Sequence, residues 1–429
     1  MTSSSLPTRK RFGALALIFV CVLVNYMDRA NIAMAGPLLR EDLKLTHVQM
    51  GLVFSAFGWT YCLLQIPGGI LVDLVPVRRL YAGLIFLWSL VTVLTGWAGS
   101  VLALVAARML IGVFEAPTYP ANNKMVTSWF PTRERASAIS VYTSGQFLGL
   151  ALLSPAMFFL QAHVGWRGLF FVTGAIGIVW ALAMLRLYRD PAECPGISRA
   201  ELDHIEQGGG GAKALAPAAA KSGGGLAWRD LRVAFAYRQL WGVYIGQFCM
   251  GAAFQFFLTW FPTYLKEYRG LSLASTGNWG SVPYLGAFAG VLTAGFASDF
   301  LLKRDVSPGP ARKIPVLCGM LLMTAVIGAN YTDKIPWVIA CMTIAFFGNG
   351  LASIGWVFIS SMAPLRRLGL VGGVFNFCGT MSGATMPAII GWLARDGDFQ
   401  PALVFIAVMS AIGFCSYVFL VGKVERIEE

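Results

Sequence analysis

The chain has 429 residues, of which 57% are hydrophobic and only 13% are charged. Soluble globular domains carry about 25% charged residues, so this composition excludes an ordinary soluble protein. The net charge of +12 does not indicate a nucleic-acid partner, because Lys and Arg stand at the ends of apolar runs and concentrate in alternate connections. That distribution is the positive-inside pattern of a protein that crosses a lipid bilayer repeatedly, and it predicts that both chain termini are cytoplasmic.

Apolar runs of the length that spans a bilayer, about 20 residues, recur along the whole chain. The first run follows basic residues 9–11 but continues to Pro37 without a cleavage site, so it is interpreted as an uncleaved helix and not as a signal peptide. The predicted helices are 14–36, 49–73, 80–99, 102–124, 135–160, 167–187, 237–262, 276–302, 313–330, 335–361, 368–394 and 400–422.

The connection 189–236 differs sharply in composition from the apolar runs. A short amphipathic stretch at 198–207 is followed by glycine-rich and Ala/Pro-rich sequence, which is typical of a flexible linker. We therefore predict an all-α membrane protein of twelve transmembrane helices in two six-helix bundles, 1–188 and 237–429, joined by a cytoplasmic linker.

The two halves repeat each other. Asp73 closes a G-x-x-x-D sequence at the end of the second helix and precedes Arg78 and Arg79, and Asp299 closes the same pattern at the end of the eighth. Duplicated halves are typical of transporters whose two bundles rock about a central site. We expect these four residues to belong to a gate in the cytoplasmic loops.

Four ionisable residues lie well inside predicted helices, namely Asp28, Arg29, Arg108 and Glu115. An ionisable group at membrane depth is costly, so each is a functional candidate. Asp28 and Arg29 point about 100° apart, so if one faces a central cavity the other packs among the N-terminal helices. Arg108 and Glu115 share one helix face about 10 Å apart along the axis, too far to pair directly but able to bracket a partner from the first helix.

The chemistry of these side chains suggests two roles. An arginine does not lose its proton, whereas a carboxylate can take one up and release it. The arginines are therefore candidates for holding an anion, and Asp28 and Glu115 for carrying protons. The alternative is a pair of static buried ion pairs that only fix helix packing.

Polar residues at helical spacing predict either a pocket or ordinary interhelical hydrogen bonds. Glycines four residues apart, at 145 and 149 and at 286 and 290, predict close helix contacts that either slide or stay fixed. The polar pairs are Tyr61 and Gln65, Tyr142 and Gln146, Gln247 and Gln255, Ser353 and Trp356, and Asn376 and Thr380.

The sequence offers no catalytic or metal-binding set. The eight cysteines form no C-x-x-C pair, and His47, His163 and His204 fall in or beside predicted loops, where we expect them to be solvated. We therefore expect no disulfide, metal or cofactor. Of the classes transporter, enzyme, channel and sensor, the sequence favours a transporter.

Several motifs carry a family resemblance over nearly the whole chain outside the linker. Residues 25–31, 65–69, 108–117 and 129–135 read N-Y-M-D-R-A-N, Q-I-P-G-G, R-M-L-I-G-V-F-E-A-P and W-F-P-T-R-E-R. With G-V-Y-I-G-Q-F at 242–248, they resemble the anion:cation symporter family of the major facilitator superfamily. The nearest branch is similar to the bacterial sugar-acid symporters.

The resemblance implies a monomeric inner-membrane symporter that takes up a small organic anion with protons, most simply a sugar acid such as glucarate, galactarate or galactonate. It implies that Arg29 binds the substrate carboxylate, that Asp28 and Glu115 are protonation sites, and that Arg108 is their partner. It also implies that six further residues line the pocket: Tyr61, Gln146, Gln247, Ser353, Trp356 and Asn376.

Some positions depart from the family pattern. In the loop after the second helix, Leu74, Pro76 and Val77 replace the usual arginine, glycine and second arginine, and Ser361 stands where sugar-acid carriers tend to have an acid. An aromatic or aliphatic dicarboxylate such as phthalate is therefore an alternative substrate, which the aromatic residues of the second half also favour: Phe254, Phe256, Phe257, Tyr284 and Phe288.

Overall fold

The computed structural model describes residues 8–211, 235–304, 306–364 and 368–427. Part of the predicted linker, 212–234, thus lies outside the described residues. Within these ranges, the structure describes the backbone but not the side chains of nine residues: Ile66, Ala136, Asp299, Leu302, Lys303, Pro308, Ser360, Leu368 and Gly369.

The first half of the chain contains six apolar helices. They are α1 (Lys10–Leu43), α2 (His47–Leu63, continued by Gln65–Leu74), α3 (Val77–Thr95), α4 (Val101–Glu115, continued by Thr118–Trp129), and α5 and α6, which together form Thr132–Leu187. The two parts of α2 are bent by 56° relative to each other. The break in α4 falls just before Pro117, where a ring without an N–H interrupts the helical hydrogen bonds.

The second half repeats this arrangement. Its helices are α7 (Arg238–Gln255, continued through two π turns to Tyr268), α8 (Leu273–Lys303), α9 (Pro308–Met323, continued by a 3₁₀ segment to Tyr331), α10 (Ile335–Ala352, continued by Gly355–Met362), α11 (Leu368–Leu393) and α12 (Gln400–Phe419). In the described residues, eight helices are long and apolar enough to cross a membrane, or nine with the bent α2. That count takes the 56-residue element Thr132–Leu187 as one span, although it contains the two helices α5 and α6. With α6, α7 and α11 added, the helices of the two halves number twelve.

The predicted loop between the fifth and sixth helices is replaced by a single residue. Gly165 has φ +71°, and the helix otherwise continues on both sides of it. A residue with a Cβ avoids this left-handed region, so glycine reverses the chain direction where a longer loop was expected.

The two bundles meet at one end of the molecule. We call the end that carries the start of α1 and the linker the linker side, and the opposite end the far side. On the far side α2 packs closely on α11: a methyl group added at Gly58 would lie 2.4 Å from the backbone nitrogen of Ala384, and one at Gly51 would lie 2.8 Å from the carbonyl oxygen of Pro387. Backbones approach this closely only where side chains are small.

The glycine faces singled out in the sequence lie elsewhere. Gly145 and Gly149 of α5 face Phe19 and Leu23 of α1, inside the N-terminal bundle. Gly286 and Gly290 of α8 face α10 inside the C-terminal bundle. These faces are therefore contacts within each bundle, and the interface between bundles uses other glycines.

His47 also departs from expectation, because it is buried and not solvated. Its Nε2 lies 3.3 Å from Glu267 Oε2 at the far end of α7, and its Nδ1 lies 3.5 Å from Arg40 Nη2. Arg40 also donates directly to Glu267. The three side chains connect α1 and α2 to α7 across the two bundles. His163 and His204 are exposed.

The linker begins with a helix that is docked on the N-terminal bundle. Helix Arg199–Gln207, predicted as the amphipathic stretch, starts at Ser198, whose hydroxyl accepts from the N–H of Glu201. The Glu201 carboxylate is fully buried and accepts from the backbone N–H groups of Lys10 and Arg11 and from the Thr8 hydroxyl. It thereby satisfies N–H groups at the start of α1 that have no partner within the helix.

Replacing this carboxylate should destabilise the N-terminal bundle. Glu201→Ala removes the acceptor of two part-buried N–H groups and of the Thr8 hydroxyl, so we expect a loss of about 1–3 kcal/mol of unfolding free energy, measured as a lower melting temperature in detergent. Asp203→Ala is the matched control on the same helix, because Asp203 is partly exposed and its ion pair in the described part of the chain is with exposed Arg199. Equal melting temperatures for the two variants would contradict this role of Glu201.

Candidate functional site

A buried ion pair connects α1 and α4 near the middle of the N-terminal bundle. Arg29 Nε donates to Glu115 Oε2 at 2.7 Å, and both side chains are buried. This is the arrangement in which a partner from the first helix reaches the acid of the fourth, as the spacing of Arg108 and Glu115 predicted. Two opposite charges held away from water attract each other strongly, so the pair keeps its geometry as long as both remain charged.

The guanidinium of Arg29 also lies against aromatic rings. Its Cζ is 4.6 Å from the ring centroid of Tyr61, 4.9 Å from that of Phe57 and 5.1 Å from that of Tyr26. Aromatic faces stabilise a cation without neutralising it. Among the described residues its Nη2 has no hydrogen-bond partner, so one edge of the guanidinium is available to a further acceptor.

Asp28 points away from this pair, as expected for a neighbour in a helix. Its Oδ2 accepts from the indole N–H of Trp88 in α3 at 2.9 Å, and its Oδ1 lies 3.5 Å from Asn31 Nδ2. The side chain is fully buried. Asp28 is therefore packed among the N-terminal helices, while Arg29 faces the other way.

Arg108, the predicted partner of Asp28 and Glu115, interacts with both acids through its charge but from a distance. No ion pair of Arg108 with Asp28 or Glu115 is found among the described residues, and its Nε and Nη1 have no hydrogen-bond partner there. Its guanidinium instead lies over the ring of Phe57, 4.9 Å from the centroid. Arg29 and Arg108 thus both contact the Phe57 ring, and only Arg29 forms an ion pair with Glu115 among the described residues.

A chain of hydrogen bonds extends the site from α1 to α5. Tyr26 donates to Gln146 Oε1 at 2.7 Å, and Tyr119 of α4 donates to the same oxygen at 3.4 Å. Tyr61 of α2 stacks on Phe57, with ring centroids 5.1 Å apart. Tyr61 thus lies beside Arg29, and Gln146 is connected to it through Tyr26. Tyr142 donates to Asn123 and contacts this group through the ring of Tyr119, with centroids 6.4 Å apart.

The predicted pocket residues of the C-terminal bundle gather around α7. Gln247 is half-buried and lies between α10 and α11, because methyl groups added at Gly355 or Gly379 would touch its amide. Ser353 and Trp356 flank Gly355, and Asn376 stands one turn before Gly379. Trp356 packs its ring edge-on against Phe375 at 5.1 Å and is half exposed.

The predicted gate residues are only partly brought together. Asp73 is exposed at the end of α2, and Arg79 is exposed at the start of α3. Arg78 donates from Nε to the carbonyl oxygen of Leu185 at the end of α6, at 2.8 Å, in place of pairing with Asp73. The side chain of Asp299 lies outside the described residues.

Sequence reasoning missed three residues of this site. Phe57 contacts both arginines, Trp88 is the partner of Asp28, and Tyr119 donates to Gln146. Phe57 stands one helical turn before Tyr61, so the helical spacing offered a signal for it. Trp88 and Tyr119 carried no such signal, because only the rotation of α3 and α4 decides which way they point.

The aromatic residues of the second half pack mainly against one another. Phe257 stacks on Phe346 with centroids 4.1 Å apart, Tyr284 contacts the same ring, and Phe147 of α5 meets Phe254 and Phe346 edge-on. Phe256, Phe257 and Tyr284 are buried. This cluster is part of the packed interior, which removes one of the reasons in the sequence to expect an aromatic substrate. In the described part of the chain, no group of three or more acidic, histidine or cysteine side chains could hold a metal ion.

Comparison with known proteins places this site in context. The family model of the Major Facilitator Superfamily matches residues 18–387. Among curated proteins, the D-galactonate transporter of Escherichia coli O6:H1 is 46% identical over 98% of both chains. The probable galactarate/D-glucarate transporter of Escherichia coli K12 is 38% identical over 98% of this chain and 95% of its own length.

The fold is also similar to solved structures. A bacterial homologue of the human lysosomal transporter Spinster, in an inward-facing and occupied conformation, superposes with a TM-score of 0.68. The alignment covers 96% of this chain and 94% of that one at 20% identity, which relates the two folds only.

Proposed function

Since the chain belongs to the major facilitator superfamily, and is a membrane transporter and not an enzyme, we propose that it carries a sugar acid into the cell together with protons. The substrates that fit best are D-galactonate, galactarate and D-glucarate, the acids named for its relatives. The binding residues of this proposal are Arg29, Tyr61 and Gln146 from one bundle, and Gln247, Ser353, Trp356 and Asn376 from the other.

The observation that carries the proposal is the buried pair of Arg29 and Glu115. Arg29 keeps its charge, and its Nη2 lacks a partner among the described residues. While Glu115 is ionised it competes with a substrate carboxylate for this guanidinium. When Glu115 takes up a proton its negative charge disappears, and Arg29 can bind the substrate carboxylate in its place. Proton and anion therefore bind together, which is the requirement of symport.

Asp28 is the second proposed proton site. It is buried with an indole N–H as its close partner, so its negative charge is costly and a proton removes that cost. Arg108 is proposed to lower the cost of both acids through its charge, without direct contact. The alternative is that Asp28 only fixes the packing of α1 against α3.

Substrate and coupling are tested in one experiment. We expect purified protein in proteoliposomes to accumulate labelled D-galactonate, galactarate or D-glucarate when the outside is acidic, and to equilibrate them slowly when the pH gradient is absent. Phthalate in the same assay tests the dicarboxylate alternative. Accumulation that is unaffected by the pH gradient would contradict proton coupling.

We also propose that the linker side is cytoplasmic, from the excess of Lys and Arg there, with Asp73, Arg78, Arg79 and Asp299 in the gate on that side. The protein is proposed to act as a monomer, because residues from both bundles of one chain surround the site.

Cysteine labelling checks this orientation. In a Cys194→Ser background, Arg199→Cys on the linker helix should resist an impermeant maleimide in intact cells, whereas Asp333→Cys on the far side should react, since both positions are exposed. Native Cys194 is a poorer probe, because partial burial raises the pKa of its thiol and slows its reaction. Labelling of Arg199→Cys alone would reverse the proposed topology.

A further inference from the structure

The amide of Gln247 is held between two glycines of neighbouring helices. A methyl group added at Gly379 of α11 would lie 2.9 Å from Gln247 Nε2, and one at Gly355 of α10 would lie 3.3 Å from Gln247 Oε1. The side chain of Gln247 therefore fills the space that these two glycines leave empty. Its position on the wall of the C-terminal bundle depends on that space.

The side chain nearest to Gly379 is that of Gln247. The three atoms nearest to an added methyl group are Nε2, Cγ and Cδ of Gln247, at 2.9, 3.1 and 3.4 Å. Gly355 is different, because a methyl group there would also come within 2.8 Å of the Phe375 ring. Alanine at 379 thus displaces one flexible side chain and leaves the backbone and the rings in place, while alanine at 355 would disturb the packing.

The place where this amide is held is the polar side of the proposed pocket. Ser353 and Trp356 flank Gly355, and Asn376 is one turn from Gly379. A side-chain amide offers two N–H donors and one acceptor oxygen. It can therefore donate to one hydroxyl of a sugar acid and accept from the next, but it finds no such partner on an unsubstituted carbon chain.

We propose that Gly379 is a positioning residue for substrate selection, which holds the Gln247 amide where it binds the hydroxyl groups of a sugar acid. The inference rests on the proposed function, since it assumes that this pocket binds a hydroxylated acid. Gly379 touches Gln247 and acts only through it. Its substitution therefore changes recognition of hydroxyl groups and leaves the carboxylate contact at Arg29 intact.

The test measures D-galactonate binding by calorimetry on the purified full-length protein and four variants: Gly379→Ala, Gly373→Ala, Gln247→Ala and the double variant Gly379→Ala/Gln247→Ala. Gly373 is the matched control on α11, because an added methyl group there meets nothing within 4 Å. Gly379→Ala and Gln247→Ala should each weaken binding about tenfold, the loss expected when a ligand hydroxyl is left unpaired. Gly373→Ala should bind like the wild type, and the double variant like Gln247→Ala.

Two further readouts separate positioning from a general structural effect. The melting temperature of Gly379→Ala should not fall, because alanine favours a helix more than glycine does. In a panel of monodeoxy D-galactonates, at least one hydroxyl whose removal weakens binding to the wild type should matter less to Gly379→Ala.

Several outcomes would overturn the inference. Wild-type affinity in Gly379→Ala would show that the amide needs no such space. A further loss in the double variant beyond Gln247→Ala would show that Gly379 acts by another route. An unchanged deoxy profile would remove the role in hydroxyl recognition. Absence of D-galactonate binding by the wild type would instead refute the proposed substrate, and the inference with it.

Discussion

Glu115→Gln should bind D-galactonate and exchange it across the membrane, but it should fail to accumulate it against a gradient. The glutamine has nearly the shape of a protonated glutamate and carries no charge, so Arg29 is permanently free for the substrate carboxylate. Exchange needs no net release of a proton. Accumulation does, and the amide cannot release one, so we expect uptake driven by a pH gradient to fall to the level of passive equilibration.

The electrical cost of an anion makes this loss severe. Moving one negative charge into an interior-negative cell costs about 2.3 kcal/mol per 100 mV. One proton carried with a monoanion cancels that cost, and a second proton turns the membrane potential into a driving force. Loss of a proton site therefore lowers the driving force for concentrating the substrate, even where binding is unchanged.

Paired counterflow and gradient-driven uptake in proteoliposomes measure the two activities separately. Glu134→Gln is the matched control, because Glu134 pairs with Arg11 and His204 on the linker side, away from the site. It should retain both activities. Gradient-driven uptake by Glu115→Gln at the wild-type rate would exclude Glu115 as a proton carrier.

Asp28→Asn separates the two interpretations of the second acid. If Asp28 carries a proton, the variant should resemble Glu115→Gln, with exchange kept and accumulation lost. If Asp28 only holds Trp88 and thereby the packing of α1 on α3, the variant should lose stability and exchange together while any remaining uptake still responds to the pH gradient.

Arg29→Lys should weaken substrate binding at least tenfold, or about 1.4 kcal/mol. Lysine keeps the positive charge but loses the planar fork that holds a carboxylate by two N–H groups. It also loses the flat surface that lies against Tyr61, Phe57 and Tyr26. A single ammonium group offers no pair of parallel N–H donors, so we expect it to bind Glu115 and a substrate carboxylate in turn less well than the guanidinium does. Calorimetry with D-galactonate measures the change.

Arg167→Lys provides the matched control for this variant. Arg167 also pairs with a carboxylate, Asp42, and lies over an aromatic ring, that of Trp166, but it is exposed on the far side. Binding by Arg167→Lys should equal that of the wild type. If Arg29→Lys also bound with full affinity, Arg29 would not be the carboxylate ligand.

The sequence was enough to predict the helices and the candidate site residues, because ionisable residues are rare inside transmembrane helices and stand out there. Asp28, Arg29 and Glu115 stand out against apolar neighbours, and helical geometry predicted that Asp28 and Arg29 face different ways. The structure has Asp28 on Trp88 and Arg29 on Glu115. Local spacing along one helix was enough for that result.

The choice of partners was not accessible, because it depends on how each helix is rotated in its bundle. Arg108 was predicted to accompany the two acids, and it interacts with both only at a distance while its guanidinium lies over Phe57. His47 was expected to be solvated, since a residue at a helix start is usually exposed. It is buried because Glu267, Trp260 and Phe399, all from the other half of the chain, lie against it. Spacing within one helix carries no information about such distant pairs.

The glycines show a similar limit. The spacing of Gly145 and Gly149 predicted a close helix contact, which exists, but not which helix supplies it. Whether a contact is internal to one bundle or joins two depends on the arrangement of all twelve helices.

The close packing of α2 on α11 has a consequence for reading natural variants of this chain. Closure at Gly51 and Gly58 is limited by backbone atoms, and backbone atoms cannot rotate aside as a side chain does. The size of the residue is therefore what matters at these two positions. Even alanine, the smallest replacement with a side chain, would keep α2 and α11 from closing on the far side. At Gly69 and Gly83, an added methyl group meets nothing within 4 Å, so we expect alanine there to leave helix packing and transport unchanged. Identical substitutions at identical residue types thus differ in severity according to which surfaces must touch and part in each transport cycle.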